Sequence, residues 1–206
     1  IHRQNQNFIM LGEMTAFLAH ETRNSLGVIY GYSKTIDTNR DKIEKVNQEI
    51  RFLSDMMERF LNFSRPIEVH RKQEIDLVEL LGTISRENEL VLESDQEKVL
   101  LESDAALLRP VFSNLCINSK EAGADRLKVS IKRKKNKNLE ILLTDNGKGI
   151  APEVKEKIWY PFFTTKEKGT GMGLAVIRKI VNTLKGEISL HETGPGGTTF
   201  KIVFYN

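Results

Sequence analysis

The sequence predicts an α+β fold preceded by a two-helix hairpin, and three observations carry that expectation. Residues 1–65 contain no proline, and apolar side chains recur there at helical intervals. After Ser64-Arg65-Pro66 the pattern becomes short strand-like runs with helices inserted between them. Apolar residues make up 39% and charged residues 29%, the balance of a globular protein in water. No apolar run approaches the ~20 residues a helix needs to cross a bilayer.

Residues from about 5 to 64 read as helix, with one break expected at Asp37-Thr38-Asn39-Arg40-Asp41. In the second helix Ile43, Val46, Ile50, Leu53, Met57 and Phe60 alternate by three and four, a coiled-coil-like seam. In the first, Leu11, Leu18, Ser25 and Tyr32 mark one seven-residue register, and Met14, Glu21, Val28 and Thr35 the other. Two such helices cannot enclose an adequate core. Two copies paired into a four-helix bundle can, so a homodimer is expected.

Pro66 closes the second helix, because the residue before a proline avoids the helical region. The expected organisation is a hairpin over 1–66, a linker over 67–73 and a second domain over 74–206. In that domain Leu77 to Leu92, Asp104 to Ala122 and Gly173 to Leu184 read as helices. Leu127 to Ile131, Leu139 to Leu143, Glu187 to His191 and Thr198 to Phe204 read as strands. A sheet with helices on one face follows.

The net charge of +3 is too small to suggest a nucleic-acid partner. The one basic cluster, Lys132 to Asn138, lies between two strand-like runs and reads as a solvated hairpin turn. Cys116 is the only cysteine, which excludes an internal disulfide and suits a reducing, cytoplasmic setting. Its neighbours Phe112, Leu115 and Ile117 make it a packed core thiol. The chain opens on Ile1 rather than Met, so a longer protein is expected, with any sensor or membrane segment upstream.

Four clusters in the second domain point to one ligand type. Asn114 and Asn118 share a helix face, and an amide carbonyl is a hard oxygen ligand suited to Mg2+. Asp145-Asn146-Gly147-Lys148-Gly149 follows an apolar strand. A carboxylate there can accept from an exocyclic amine, and glycines let backbone approach a flat ring. Gly169-Thr170-Gly171-Met172-Gly173-Leu174 opens a helix, where exposed N–H groups suit phosphates. It is neither a dinucleotide fingerprint, since no strand immediately precedes it, nor a P-loop, since no Gly-Lys-Ser/Thr follows. Gly194-Pro195-Gly196-Gly197-Thr198-Thr199-Phe200 reads alone as a turn entering the last strand. Each cluster taken singly also suits an ordinary turn or loop contact.

In combination, and with Phe162-Phe163-Thr164-Thr165-Lys166 between the second and third, the order resembles the ATP-binding domain of the GHKL superfamily. Within it the likeness is to histidine kinases, over about residues 74–206. The resemblance implies an α/β sandwich that binds ATP and Mg2+. Asn118 would hold the metal against the phosphates with Asn114 beside it, and Asp145 would read adenine. Gly147 and Gly149 would shape the pocket, and Gly169, Thr170, Gly171, Met172, Gly173 and Leu174 would form the lid. Thr199 would support the adenine end, and Lys166 would meet a phosphate.

The first helix carries His20-Glu21-Thr22-Arg23-Asn24, with His20 half a turn from Leu11. A zinc site would need a second histidine where Asn24 stands. The stretch instead resembles the phosphoacceptor box of histidine kinases. It implies that His20 accepts the γ-phosphoryl group, that Glu21 orients the ring or takes its other proton, and that Asn24 places water for dephosphorylating a response regulator. Arg23 would balance charge nearby.

Two departures stand out. Relatives often carry proline where this chain has Ser25, so any kink falls to Gly27 or Gly31. Many also carry lysine where this chain has Glu121. With the short segment from Phe163 to Gly169, that is similar to the short-lid subgroup typified by nitrogen-regulation sensor kinases. Lys166 or Lys168 would then supply the missing phosphate contact. The expected activity is autophosphorylation of His20 and transfer to an aspartate of a response regulator receiver domain. A GHKL ATPase or ATP-gated clamp without phosphohistidine is the alternative, and a non-catalytic dimeric docking module a third reading. The alternative is disfavoured because its members usually have a glutamate base where Asn114 sits. The third is disfavoured by intact His20, Asn118 and Asp145.

Overall fold

The computed structural model describes residues 2–33, 40–134, 137–166 and 170–205, the side chains of 2–17, 40 and 59 excepted. The chain forms two compact units, one of Ile1–Pro66 with Tyr160–Phe162 and one of Ile67–Trp159 with Phe163–Asn206.

The first unit contains α1 (His2–Ser33) and α2 (Arg40–Ser64). Residues 37–39 of the expected break, with Thr35, lie outside the described residues, as do the Leu11 and Met14 side chains. Arg40 and Asp41 already belong to α2. α1 continues uninterrupted through Ser25, Gly27 and Gly31. The register containing Leu18, Ser25 and Tyr32 is the one turned inward: Leu18 and Ser25 are buried. The Ser25 hydroxyl donates to Glu49 Oε1 of α2 at 2.5 Å, and Lys45 Nζ lies 5.6 Å from the Tyr32 ring centroid. A proline at 25 would carry no hydroxyl for that bond. The α2 seam splits in two. Val46, Leu53 and Phe60 are partly covered, whereas Ile43, Ile50 and Met57 are exposed by more than two-fifths.

The second unit runs β1 (Gln73–Asp76), α3 (Leu77–Glu87), β2 (Val91–Ser94), β3 (Leu100–Ser103), α4 (Ala105–Glu121), β4 (Arg126–Arg133) and β5 (Leu139–Asp145). After two 3-10 turns it continues with α5 (Gly173–Thr183), β6 (Gly186–Gly194) and β7 (Gly197–Phe204). Five strands form a mixed sheet in the order β2-β4-β5-β7-β6, parallel between β2 and β4 and antiparallel elsewhere. α3, α4 and α5 supply Leu81, Phe112, Leu115 and Ile177 to one buried cluster with Ile141 and Ile202 of the sheet. The unit is therefore an α/β sandwich.

The first helix of this unit is shorter than the sequence predicts. Asp76 caps its start by accepting from the Val78 amide at 3.0 Å. Its end comes at Glu87 instead of Leu92, because the Asn88 side chain donates to Ile84 O at 2.8 Å and Glu89 turns the chain with φ of 56°. Val91 to Ser94 then pair with Arg126 to Val129. Apolar spacing that continues through Leu90 and Leu92 looks helical in sequence, but sheet pairing wins. β1, β2 and β3 have four residues each, too few for a period of two to show.

Residues 70 and 71, inside the expected linker, are tied down. Their amides donate to Asp104 Oδ2 at 3.0 and 3.2 Å, while Asp104 Oδ1 caps α4 through the Ala106 amide at 3.0 Å. The Arg71 N–H, then those of His70 and Ala106, hold the Asp104 carboxyl below the usual carboxylate range. β4 and β5 form an antiparallel hairpin. At its end the Lys134 amide donates to Asn138 O at 2.9 Å, with Lys132, Arg133, Lys134 and Lys137 exposed. The basic cluster is a solvated turn over its described residues. Cys116 is fully buried in the core, and burial pushes its thiol up to about 11.

Candidate functional site

In the first unit the imidazole of His20 is 68% exposed on α1. Its Nδ1 lies 3.2 Å from Glu21 Oε1 and 3.2 Å from Asn24 Nδ2. The two contacts ask opposite things of one nitrogen. A protonated Nδ1 donates to the Glu21 carboxylate, and an unprotonated one accepts from the Asn24 amide. Nε2 makes neither contact. With the proton on Nδ1, the Nε2 lone pair is the free one.

In the second unit the alternation of β5 decides where Asp145 points. Leu139, Ile141, Leu143 and Asp145 are buried while the residues between them are half-covered, so the carboxylate continues the core face. A buried carboxylate needs donors. Oδ1 accepts from the amides of Gly147 at 2.9 Å and Thr198 at 3.1 Å, and Oδ2 accepts from the Ser119 hydroxyl at 3.2 Å. Asp145 thus joins the end of α4, the start of β7 and its own loop.

The surrounding backbone is packed too closely for side chains. A Cβ on Gly147 would stand 2.9 Å from the Ala122 Cβ. One on Gly149, whose φ is +74°, would stand 1.9 Å from Gly194 O, and one on Gly197, at +134°, would stand 1.9 Å from Asp145 O. These three positions need glycine. Asn146, given no role by the sequence, accepts from the Asp125 and Arg126 amides at 3.1 Å and anchors the loop to β4. Thr199 bonds Thr144 through their hydroxyls at 3.0 Å, and it is Thr198 that reaches Asp145. Neither Ser119 nor Thr198 stood out in the sequence, because each acts through a tertiary contact that no local spacing announces.

On α4, the Asn114 amide donates to Pro110 O at 3.0 Å, and its Oδ1 would lie 3.3 Å from a Cβ on Gly173. The first turn of α5 therefore rests against Asn114. Gly171 has φ of +65° and Met172 is buried. Among the described residues no side chain caps the leading N–H groups of α5, an arrangement suited to anion binding. The Thr170 hydroxyl accepts from the Met172 amide at 3.4 Å, and Leu174 packs against the core. Gly169 and Lys168 lie outside the described residues. Asn118 Oδ1 accepts from Lys166 Nζ at 3.0 Å, and the same ammonium pairs with Glu121. An oxygen that already draws a cation suits Mg2+, and the clash-prone glycines leave a cradle suited to a flat base.

Comparison with known proteins adds two matches. Residues 103–205 match the family of histidine kinase-, DNA gyrase B- and HSP90-like ATPases, and residues 10–68 match the His kinase A phosphoacceptor domain. The signal transduction histidine-protein kinase AtoS of Escherichia coli is 32% identical over 97% of this chain and 36% of its own length. Sporulation kinase A of Bacillus subtilis is 29% identical over 98% of this chain and 36% of its own length. The chain thus spans about a third of these curated relatives' length. Among solved structures, the histidine kinase ThkA in complex with the response regulator TrrA aligns with a TM-score of 0.65 and 26% identity, over 98% of this chain and 64% of ThkA.

Proposed function

The chain belongs to the histidine kinase-, DNA gyrase B- and HSP90-like ATPase family, and from that premise we propose that it moves the γ-phosphoryl group of ATP to His20 and on to an aspartate of a response regulator receiver domain. The observation that carries the reading is the exposed His20 ring, whose hydrogen-bond partners among the described residues, Glu21 and Asn24, both lie on Nδ1.

In this reading Asp145 accepts from the adenine amine through lone pairs its backbone donors leave, and Gly147 and Gly149 admit the ring. The α5 N-terminus, with Thr170, Gly171, Met172, Gly173 and Leu174, covers the phosphates, together with Gly169. Asn118 would hold Mg2+, which when bound offsets phosphate charge. Lys166 adds positive charge on the same side.

Nε2 then attacks the γ-phosphorus. The new N–P bond forms as the bridging O–P bond breaks and ADP leaves. Positive charge developing on the ring is stabilised by Glu21, which accepts the Nδ1 proton. Movement around Pro66 brings the nucleotide to the acceptor. In the second transfer the N–P bond breaks and the aspartate carboxylate takes the phosphoryl group. Asn24, one turn from His20, would orient water against the resulting acyl phosphate, so that the acyl O–P bond breaks and inorganic phosphate leaves, an opposing phosphatase activity. Two copies paired through α1 and α2 form the working unit, cytoplasmic and with no nucleic-acid partner. Hydrolysis without phosphohistidine is the weaker reading, because Asn114 donates to Pro110 O where an activating acid would stand.

Incubation with Mg2+ and γ-labelled ATP tests this. Acid-labile, alkali-stable label that vanishes in His20→Gln, with nucleotide affinity unchanged, is expected. Release of ADP without labelled protein would favour the hydrolase.

A further inference from the structure

The Glu121 carboxylate pairs with Lys166. The same Lys166 ammonium donates to Asn118 Oδ1 at 3.0 Å. Asn118 and Glu121, three residues apart near the end of α4, therefore grip one cation between them. On the reading above, that cation sits on the oxygen through which Asn118 would bind magnesium. An ammonium and a divalent ion on one amide oxygen repel each other, so holding the first weakens the hold on the second.

We propose that Glu121 is a latch: it holds Lys166 on Asn118 while the nucleotide site is empty, so that metal-bound nucleotide must displace an internal cation before Asn118 can act as its ligand. The inference rests on the nucleotide-binding reading and gives Glu121 a positioning role within it. Displaced from Asn118, Lys166 remains tethered beside the phosphates, where its charge is next needed. Lys166 is thus first a competitor at Asn118 and then a partner for phosphate. Both partners are about half exposed, so the latch is weak and sensitive to salt.

ADP is the suitable probe, because it lacks the γ-phosphate that Lys166 could reach and so isolates the exchange at Asn118. Calorimetric titration of the whole chain with ADP, at a series of Mg2+ concentrations and with chelator, gives the metal needed for half-maximal binding enhancement. Glu121→Gln should lower that concentration about two- to fivefold, the size of an exposed ion pair, and leave chelated ADP binding within twofold. Lys166→Met should lower it at least as far, and adding Glu121→Gln to Lys166→Met should change nothing more. High salt should shrink the difference between wild type and Glu121→Gln. A raised metal requirement in Glu121→Gln would make Glu121 itself a metal ligand and overturn the latch. An unchanged requirement, or additive effects in the double variant, would overturn it as well. Failure of the wild-type chain to bind ADP with or without Mg2+ would instead overturn the nucleotide reading, and the latch with it.

Discussion

The two units solve the burial problem differently. In the α/β sandwich the helices and sheet close over a continuous core in which Leu77, Phe112, Ile141 and Ile202 are fully buried. In the hairpin only Leu18, Ser25 and Met56 are buried among the described side chains, none of them fully, while Leu26, Tyr30, Ile50 and Leu61 are about half exposed. One unit closes its core within a single chain, and the other leaves apolar side chains exposed among its described residues, as the proposed pairing of two copies requires. The lesson concerns chemistry as well as stability. On the proposed reading the self-contained unit carries the glycine-lined cradle that nucleotide recognition requires, and the hairpin carries an acceptor that stays open to two successive partners.

The sharpest way to break this contrast is to place charge on the exposed stripe. Ile50→Asp should weaken self-association at least about a hundredfold, because each copy loses the burial of an isoleucine worth ~1.5–3 kcal/mol. Analytical ultracentrifugation reads this directly, while the heat-induced unfolding of the sandwich should be unmoved. An undisturbed dimer would mean that 43, 50 and 57 are not its seam.

The corresponding cut in the sandwich is Asp145→Asn. The substitution sets an amide against the Gly147 and Thr198 donors, a mismatch of ~1–3 kcal/mol. Adenine-nucleotide affinity should fall roughly tenfold to a hundredfold by the same measure, with a lower unfolding temperature for this unit alone. Unaltered affinity would remove Asp145 from base recognition.

A smaller effect sharpens the boundary between the units. Asp104 ties residues 70 and 71 to the start of α4, and its carboxyl is held below its ordinary value. Such a group stabilises the fold above its unfolded value, roughly pH 4, and that contribution is lost as pH falls through the lower folded value. Asp104→Asn should therefore flatten the acid limb of the stability curve below about pH 4 and quicken amide exchange at 70 and 71. An acid limb identical to wild type would show that the tie contributes nothing in solution.

Legibility differed between the units for the same physical reason that their cores do. Long helices repeat their pattern often enough to be read, so α1, α2 and the seam were visible, as were α4, α5 and the four long strands. Which α2 line lies inward was not visible, since both lines are equally apolar. β2 was absorbed into a helix because Leu90 and Leu92 continue helical spacing. In the candidate site, Asn118, Asp145 and the glycines could be singled out from the sequence because nucleotide chemistry calls for those residue types in that order. Ser119, Thr198 and the anchoring role of Asn146 were not, because their contacts join distant segments. Glu121 was seen as a departure, but its pairing with Lys166 spans 45 residues and needed coordinates.

The most direct test of the account is the chemical identity of the phosphorylated ring. After reaction with Mg2+ and ATP, phosphorus NMR of the intact protein distinguishes the two phosphohistidine isomers. With Nδ1 engaged by Glu21 and Asn24, the account predicts a single phosphoramidate on Nε2 of His20. A phosphoryl group on Nδ1, or none at all on a chain that binds Mg2+ and ATP, would contradict it.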